Sequence, residues 1–284
     1  MKKILAIIIF GVLLSSCKKT EPASSDKKEI KNDSITTENL PQNSETDSEA
    51  LLASFSKKRL EVIQKLKTLS AEEADALYEK YSSENSSLLH AIMEKENTLL
   101  EKFYNEDEKD KEAVKLFGKE LVKHQLNYDE IGEGIVEITT KNDFYYTIFK
   151  DYVTSDYKDY LYLISEENKM TYSSDAALVI SFKDLGDRII SWENFMTKYP
   201  NSKLIPSVKE QYKFYQLDYL FGQDNTPTVE RANELYIYPE NILEFDRFEK
   251  KYPKSPTVPL IHLFRENFKN ENVSRLITDE QEKL

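Results

Sequence analysis

The chain holds one thiol and three imidazoles, and their positions limit the chemistry they can do. His90, His124 and His262 lie far apart in sequence, and none sits in an H-E-x-x-H arrangement. His90 and Glu94 stand four residues apart, on one face of a helix, where a metal would need further ligands. The plainer reading of these histidines is a surface or half-buried side chain. Acidic residues number 51, so some carboxylate pair will always suggest a glycosidase. Without a known separation that likeness carries no weight. The sequence has no G-x-S-x-G, no glycine-rich phosphate loop and no nucleophile motif around its cysteine, Cys17. No catalytic residue, metal ligand or cofactor is assigned, and a non-catalytic role is the favoured expectation. The alternative is an envelope enzyme that acts on cell-wall or captured polymer through its acidic residues.

The aromatic run "DFYYTIFKDYVTSDYKDYLYL" has binding chemistry rather than catalytic chemistry. At helical spacing Tyr145, Phe149 and Tyr152 share a face, as do Tyr157 and Tyr160. Exposed, these rings would stack on sugars or anchor a partner protein. Tyr145, Tyr152, Tyr157 and Tyr160 are therefore the candidate binding residues. The commoner use of such a stripe is core, with the hydroxyls reaching the rim.

Cys17 belongs to a different pattern. Lys2 and Lys3 precede an apolar run, Ile4 to Leu14, and Ser15 and Ser16 stand directly before the cysteine. The run has the length of a signal-peptide core and is short of the roughly 20 residues that span a bilayer. Leu14-Ser15-Ser16-Cys17 resembles the lipobox of bacterial lipoproteins. That resemblance implies a signal peptide over residues 1–16, cleavage before Cys17, diacylglycerol on its sulfur and acylation of the new amino group. Each buried methylene contributes about 0.8 kcal/mol, so two or three chains anchor firmly where one does not. Lys18 stands where an aspartate would favour retention in the inner membrane. The expectation is a lipid anchor in the outer membrane, with the periplasmic and surface faces both open.

Residues 17–49 are rich in Ser, Thr, Asn, Glu, Asp and Lys, with Ile30, Ile35 and Leu40 the only large aliphatics before Leu51. So polar a segment cannot offset its ordering entropy, and it reads as a flexible tether. The chain carries 39 basic and 51 acidic residues. Loss of the signal would remove Lys2 and Lys3 and leave the mature protein at −14. Nucleic acid is excluded as a partner on that balance. An envelope protein or peptide is expected instead, and a basic one is what the acidity favours. With its cysteine given to lipid, the fold must rest on packing without an internal disulfide.

The elements that position these groups read as helices. Glycine is held to six residues, and apolar residues recur at three and four. Phe55, Leu60, Ile63 and Leu66 are placed along one stripe. Ser70 and Glu73 have capping-box spacing. Leu88, Leu89, Ile92, Leu99, Leu100 and Phe103 continue an apolar face, and Val114, Phe117, Leu121 and His124 form another. The acidic run Asn105 to Glu112 reads as a solvated turn and helix start. "DEIGEGIVEITTKN", with Gly132 and Gly134, breaks the pattern, and Ile135, Val136 and Ile138 are a short extended segment or the edge of a turn. A boundary placed there gives an N-terminal helical region, 50–130, and a C-terminal region, 131–284.

Two stretches of that second region, "ISWENFMTKYPNSKLIPSV" and "LEFDRFEKKYPKSPTVPLI", align without a gap at an offset of 53 residues. Trp192 matches Phe245, Phe195 matches Phe248, Tyr199-Pro200 matches Tyr252-Pro253, Ser202 matches Ser255 and Pro206 matches Pro259. Ile190 and Leu243 extend the match upstream. The proline after each tyrosine stops one helix, the serine starts a turn, and the later proline opens the next helix. These stretches resemble the F-x-x-x-YP-x-S junctions of tetratricopeptide-like envelope proteins, outer-membrane assembly lipoproteins among them. The likeness covers roughly residues 185–270 and implies an all-α fold of helical hairpins in a tetratricopeptide-like or irregular α-solenoid arrangement. The offset departs from the 34-residue tetratricopeptide period, so two decorated hairpins fit better than a regular superhelix. The connection "YLFGQDNTPT" is similar to other helical lipoproteins and implies no activity.

Overall fold

Among the described residues, helix-forming spacing and scarce glycine give a mostly helical fold, into which four short antiparallel hairpins are set. The structure, a computed structural model, describes residues 48–232 and 234–283. The expected signal peptide, the expected lipobox and the expected tether up to residue 47 lie outside the described residues.

Helix α1 (Ser48–Leu66) packs against α2 (Ala71–Lys95). Leu52, Phe55, Val62 and Leu66 carry its buried face. Leu60, expected in that stripe, is 58% exposed. It follows Phe55 by five residues, which turns it about 140° away at 3.6 residues per turn. Ser70 caps α2 as its spacing requires. Its Oγ accepts from the Glu73 N–H at 3.3 Å, and its own N–H donates to the Glu73 carboxylate at 2.8 Å. After the single turn α3 (Asn97–Leu100), Asp107 caps α4 (Glu108–Lys123) by accepting from the Lys109 N–H at 2.9 Å.

β-Branched residues and two glycines then produce a hairpin, β1 (Leu126–Gly132) with β2 (Ile135–Thr140). Val136 and Ile138 point into the core, and Gly132, Glu133 and Gly134 all take positive φ in the turn. A division at 130/131 falls inside this hairpin, where Glu130 pairs with Val136. The apolar core divides elsewhere. One cluster runs from Leu52 to Leu161 and another from Tyr157 to Ile277, and Tyr78, Val153 and Tyr160 pack against both. The seam is α6 (Ser155–Glu167), reached through the short α5 (Phe144–Phe149).

Beyond α6, hairpins and helices alternate. β3 (Ser173–Ser174) and β4 (Ala177–Leu178) precede α7 (Phe182–Lys198) and α8 (Ile205–Phe221). β5 (Gly222–Gln223) pairs with β6 (Thr226–Pro227), and β7 (Val229–Glu230) with β8 (Tyr236–Ile237). Then come α9 (Pro239–Lys251), α10 (Thr257–Asn267) and α11 (Val273–Gln281). α7 packs on α6, α8 and α9, while α10 packs on α8, α9 and α11. Gly222 leaves α8 at φ 70°, ψ −162°, and a Cβ there would lie 2.1 Å from the Thr226 carbonyl oxygen. Only glycine reaches that conformation without strain.

Candidate functional site

The matched stretches fold alike. Tyr199 closes α7 at φ −128°, ψ 57°, and Tyr252 closes α9 at φ −128°, ψ 56°. Each tyrosine N–H donates back to a phenylalanine carbonyl, Phe195 at 2.9 Å and Phe248 at 2.7 Å. Each serine N–H then donates to the tyrosine carbonyl, at 3.1 Å for Ser202 and 3.0 Å for Ser255. Each serine Oγ accepts from the backbone two residues on, Leu204 at 3.2 Å and Thr257 at 3.1 Å. Trp192 and Phe245 are both buried, as are Phe195 and Phe248. The alignment fails only upstream. Leu243 is 70% exposed, because it precedes Phe245 by two residues and so faces about 200° away.

The side chains of both junctions reach acids on preceding helices. Tyr199 donates its hydroxyl to Asp159 at 2.7 Å, and Ser202 donates to Asp156 at 2.5 Å. Tyr252 donates to Asp187 at 2.9 Å, and Ser255 donates to Glu193 at 2.6 Å. A lysine sits over each tyrosine ring, Lys198 at 5.0 Å and Lys251 at 4.7 Å. Burial alone would raise the Asp187 pKa, but hydrogen bonds from Lys183 and Tyr252 and the nearby Arg247 outweigh it and hold the carboxyl below its usual value. Asp159 is lowered in the same way, with Lys198 and Tyr199 outweighing burial.

The second junction borders a cleft of about 650 Å³. Ile190, Met196, Tyr212, Tyr252, Pro253 and Pro256 supply its apolar and aromatic surface. Lys209, Lys213, Lys251 and Lys254 also line it, with Glu193 the lining carboxylate. Glu193 accepts hydroxyl hydrogens from Tyr212 at 2.8 Å, Ser255 at 2.6 Å and Thr257 at 2.9 Å. Prolines, a pinned tyrosine and a hydroxyl-bound glutamate make the wall rigid, which lowers the ordering cost of binding. Met196 brings an adaptable surface to the same wall.

A second, polar cavity of about 350 Å³ lies where the β1–β2 hairpin meets α6 and α7. Asn127, Asp129, Thr139, Glu167, Arg188 and Tyr215 are among its lining residues. Glu167 accepts from the Trp192 indole N–H and the Tyr215 hydroxyl, each at 2.8 Å. Burial raises its pKa against the opposing pull of the Tyr215 hydroxyl, Arg188 and Trp192. Nothing in sequence distinguishes Glu167 from its many acidic neighbours. Its role comes from Trp192 and Tyr215, which lie 25 and 48 residues further along the chain.

Of the four candidate tyrosines, Tyr157 and Tyr160 lie on the seam helix α6, and Tyr145 and Tyr152 pack against the N-terminal cluster. Tyr157 is buried, and its hydroxyl donates to Glu79. Tyr145 meets Tyr78 and Phe144 edge-on at 5.7 and 5.1 Å, and Tyr160 meets Trp192 at 5.8 Å. Tyr152 packs against the N-terminal cluster. Tyr145, Tyr152 and Tyr160 are half-buried, Tyr145 lines a separate cavity with Ser82 and Glu137, and none of the four lines the cleft of about 650 Å³. The histidines are separate as well. His90 faces Glu94 at 3.4 Å and is 70% exposed, His124 bonds Ser56 at 2.7 Å, and His262 faces Glu249 at 3.3 Å. Among the described residues no group of three or more His, Cys, Asp and Glu is arranged to hold a metal. Among the same residues no helix is long and apolar enough to cross a membrane. Compared with known protein families, with characterised proteins and with solved structures, the chain matches none.

Proposed function

We propose that this protein is an outer-membrane lipoprotein, anchored through lipid on Cys17, whose folded part is a helical protein-binding or scaffold module. In this reading residues 17–49 are a tether whose last two residues, Ser48 and Glu49, already open α1, and α7–α10 form two hairpins of a tetratricopeptide-like or irregular solenoid. The cleft beside the second junction seats a segment of another envelope protein. The observation that carries the reading is that cleft: at about 650 Å³ it has the size of a ligand site. Its apolar and aromatic floor has the character of an interface centre, and its walls belong to a repeated, rigid joint. The enzyme reading would rest on Glu167. Both of its carboxylate oxygens are already engaged, by Trp192 and Tyr215, and the binding role requires neither.

A photo-crosslinking amino acid at Met196, compared with one at exposed Leu60, tests the proposal in intact envelopes. The expected result is a discrete protein adduct from position 196 alone, whose partner, once purified, binds the protein directly. No adduct, or the same adducts from both positions, would overturn it.

A further inference from the structure

The chain as a whole is acidic, and on that ground alone a basic partner would be favoured. The lining of the cleft is instead rich in lysine. Four of its fourteen lining residues are lysines and one is a glutamate, in a chain with 39 basic and 51 acidic residues. The glutamate, Glu193, faces three hydroxyl donors across its own walls. All three of these bonds fall on its Oε1. The lysines come from three separate pieces of chain: Lys209 and Lys213 from α8, Lys251 from the end of α9, and Lys254 from the turn after it. Lys213 is steered by Glu282 at 2.7 Å, and Lys251 by Asp187 at 3.5 Å and by the Tyr252 ring.

Resting on the binding role proposed above, we infer that the cleft recognises an acidic protein segment carrying at least one large apolar or aromatic side chain. The side chain enters between Ile190, Met196 and Tyr212, and the flanking carboxylates meet the lysines. Lysines suit carboxylates at variable spacing, because each acts as a point charge on a long stem. The apolar floor selects against purely polar anions, which would leave it uncovered. A net charge of −12 repels long polyanions such as nucleic acid. A short acidic segment meets the lysines themselves, and charges further than a Debye length of about 8 Å are largely screened.

The test selects a displayed random-peptide library against the full-length protein in detergent micelles, then measures the winning peptides by fluorescence anisotropy. The expected winners combine Asp or Glu with Phe, Leu, Met or Tyr. The double variant Lys209→Glu/Lys254→Glu should weaken them about tenfold or more, and the matching Gln variant less, with far-UV circular dichroism unchanged in both. Met196→Ser should weaken the same peptides without altering their salt dependence. Winners rich in Lys or Arg would overturn the inference, as would acidic winners indifferent to the lysine substitutions. Displacement by dextran sulfate or an oligonucleotide as readily as by unlabelled peptide would also overturn it, since the cleft would then be an unselective anion surface. In each of these cases crosslinking at Met196 still reports on the binding role separately. A specific adduct with a basic or neutral partner sinks the charge inference alone, and no adduct sinks both.

Discussion

Trp192 is the chain's only tryptophan, and Trp192→Phe puts into the first junction the residue type that the second carries at Phe245. The exchange is not neutral, because the indole does two jobs. Its ring is 1% exposed and packs against Tyr160 at 5.8 Å and Phe195 at 5.9 Å. Its N–H donates to the Glu167 carboxylate at 2.8 Å. Trimming the ring leaves a cavity on the order of 40 Å³, which costs about 1 kcal/mol at 24 cal/mol per Å³. Loss of a hydrogen bond to a charged acceptor adds about 1.5–3 kcal/mol. The expected destabilisation is about 2.5–4 kcal/mol, a fall in Tm of roughly 5–16 °C for a folded part of this size. In a Glu167→Gln background the lost bond is a neutral one, so Trp192→Phe should cost about 1–2 kcal/mol less there. The assay is urea unfolding at neutral pH followed by far-UV circular dichroism, because tryptophan fluorescence vanishes with the substitution. A cost below about 1 kcal/mol would mean that the indole is not packed as described. A full cost with no coupling to Glu167→Gln would mean that the Trp192–Glu167 bond contributes nothing.

Glu167 also sets a pH response. Its pKa is raised on folding, so between its ordinary value of 4.5 and its folded value the native state holds the proton more firmly, and stability falls as pH rises through that window. Glu167→Gln should gain on the wild type as pH climbs above 4.5, and a constant difference in Tm would refute this. Asp159 and Asp187 act in a lower window with the opposite sign: their stabilisation is present above 3.8 and lost as pH falls through their depressed values. Gly222→Ala should cost about 2–3 kcal/mol in urea unfolding through strain and collision with the Thr226 carbonyl, and a change within 0.5 kcal/mol would contradict the turn geometry. Val62→Ala should destabilise by about 1–3 kcal/mol and Leu60→Ala by less than about 0.5, a ranking that thermal melts would reverse if the face of α1 were misassigned. Cys17→Ala should abolish incorporation of labelled fatty acid, and a labelled variant would end the lipid-anchor proposal.

The junctions were legible in sequence because proline, aromatic and serine each act through local backbone physics. Tyr199-Pro200 and Tyr252-Pro253 stop their helices wherever the chain is placed. The capping box at Ser70 and Glu73 was readable for the same reason. Leu60 and Leu243 show where pattern reading slips: both are apolar and near the right spacing, yet two or five residues from a core aromatic turns a side chain off the buried face. Hairpins with strands of two residues, such as Ser173–Ser174 with Ala177–Leu178, have no period to detect. The acids that complete the site, Asp156, Asp187, Glu193 and Glu167, are chosen from a chain full of acids by contacts 25 to 65 residues away. The cleft was hidden for the same reason, since its lysines come from α8, the end of α9 and the turn between α9 and α10.

In both junctions the hydroxyl donors find acceptors made earlier in the chain. Tyr199 follows Asp159 by 40 residues, Ser202 follows Asp156 by 46, Ser255 follows Glu193 by 62 and Tyr252 follows Asp187 by 65. None of these bonds waits for a residue still to be synthesised. A chain that emerges amino end first can complete each joint as soon as its tyrosine and serine appear, on a helix that already exists. Assembly then has a direction: α6 serves as template for the α7–α8 turn, and α7 for the α9–α10 turn. Placing the α9–α10 segment ahead of α7 by circular permutation would keep these hydrogen-bond partners and reverse that order, so refolding from denaturant would be little changed while folding during synthesis would slow.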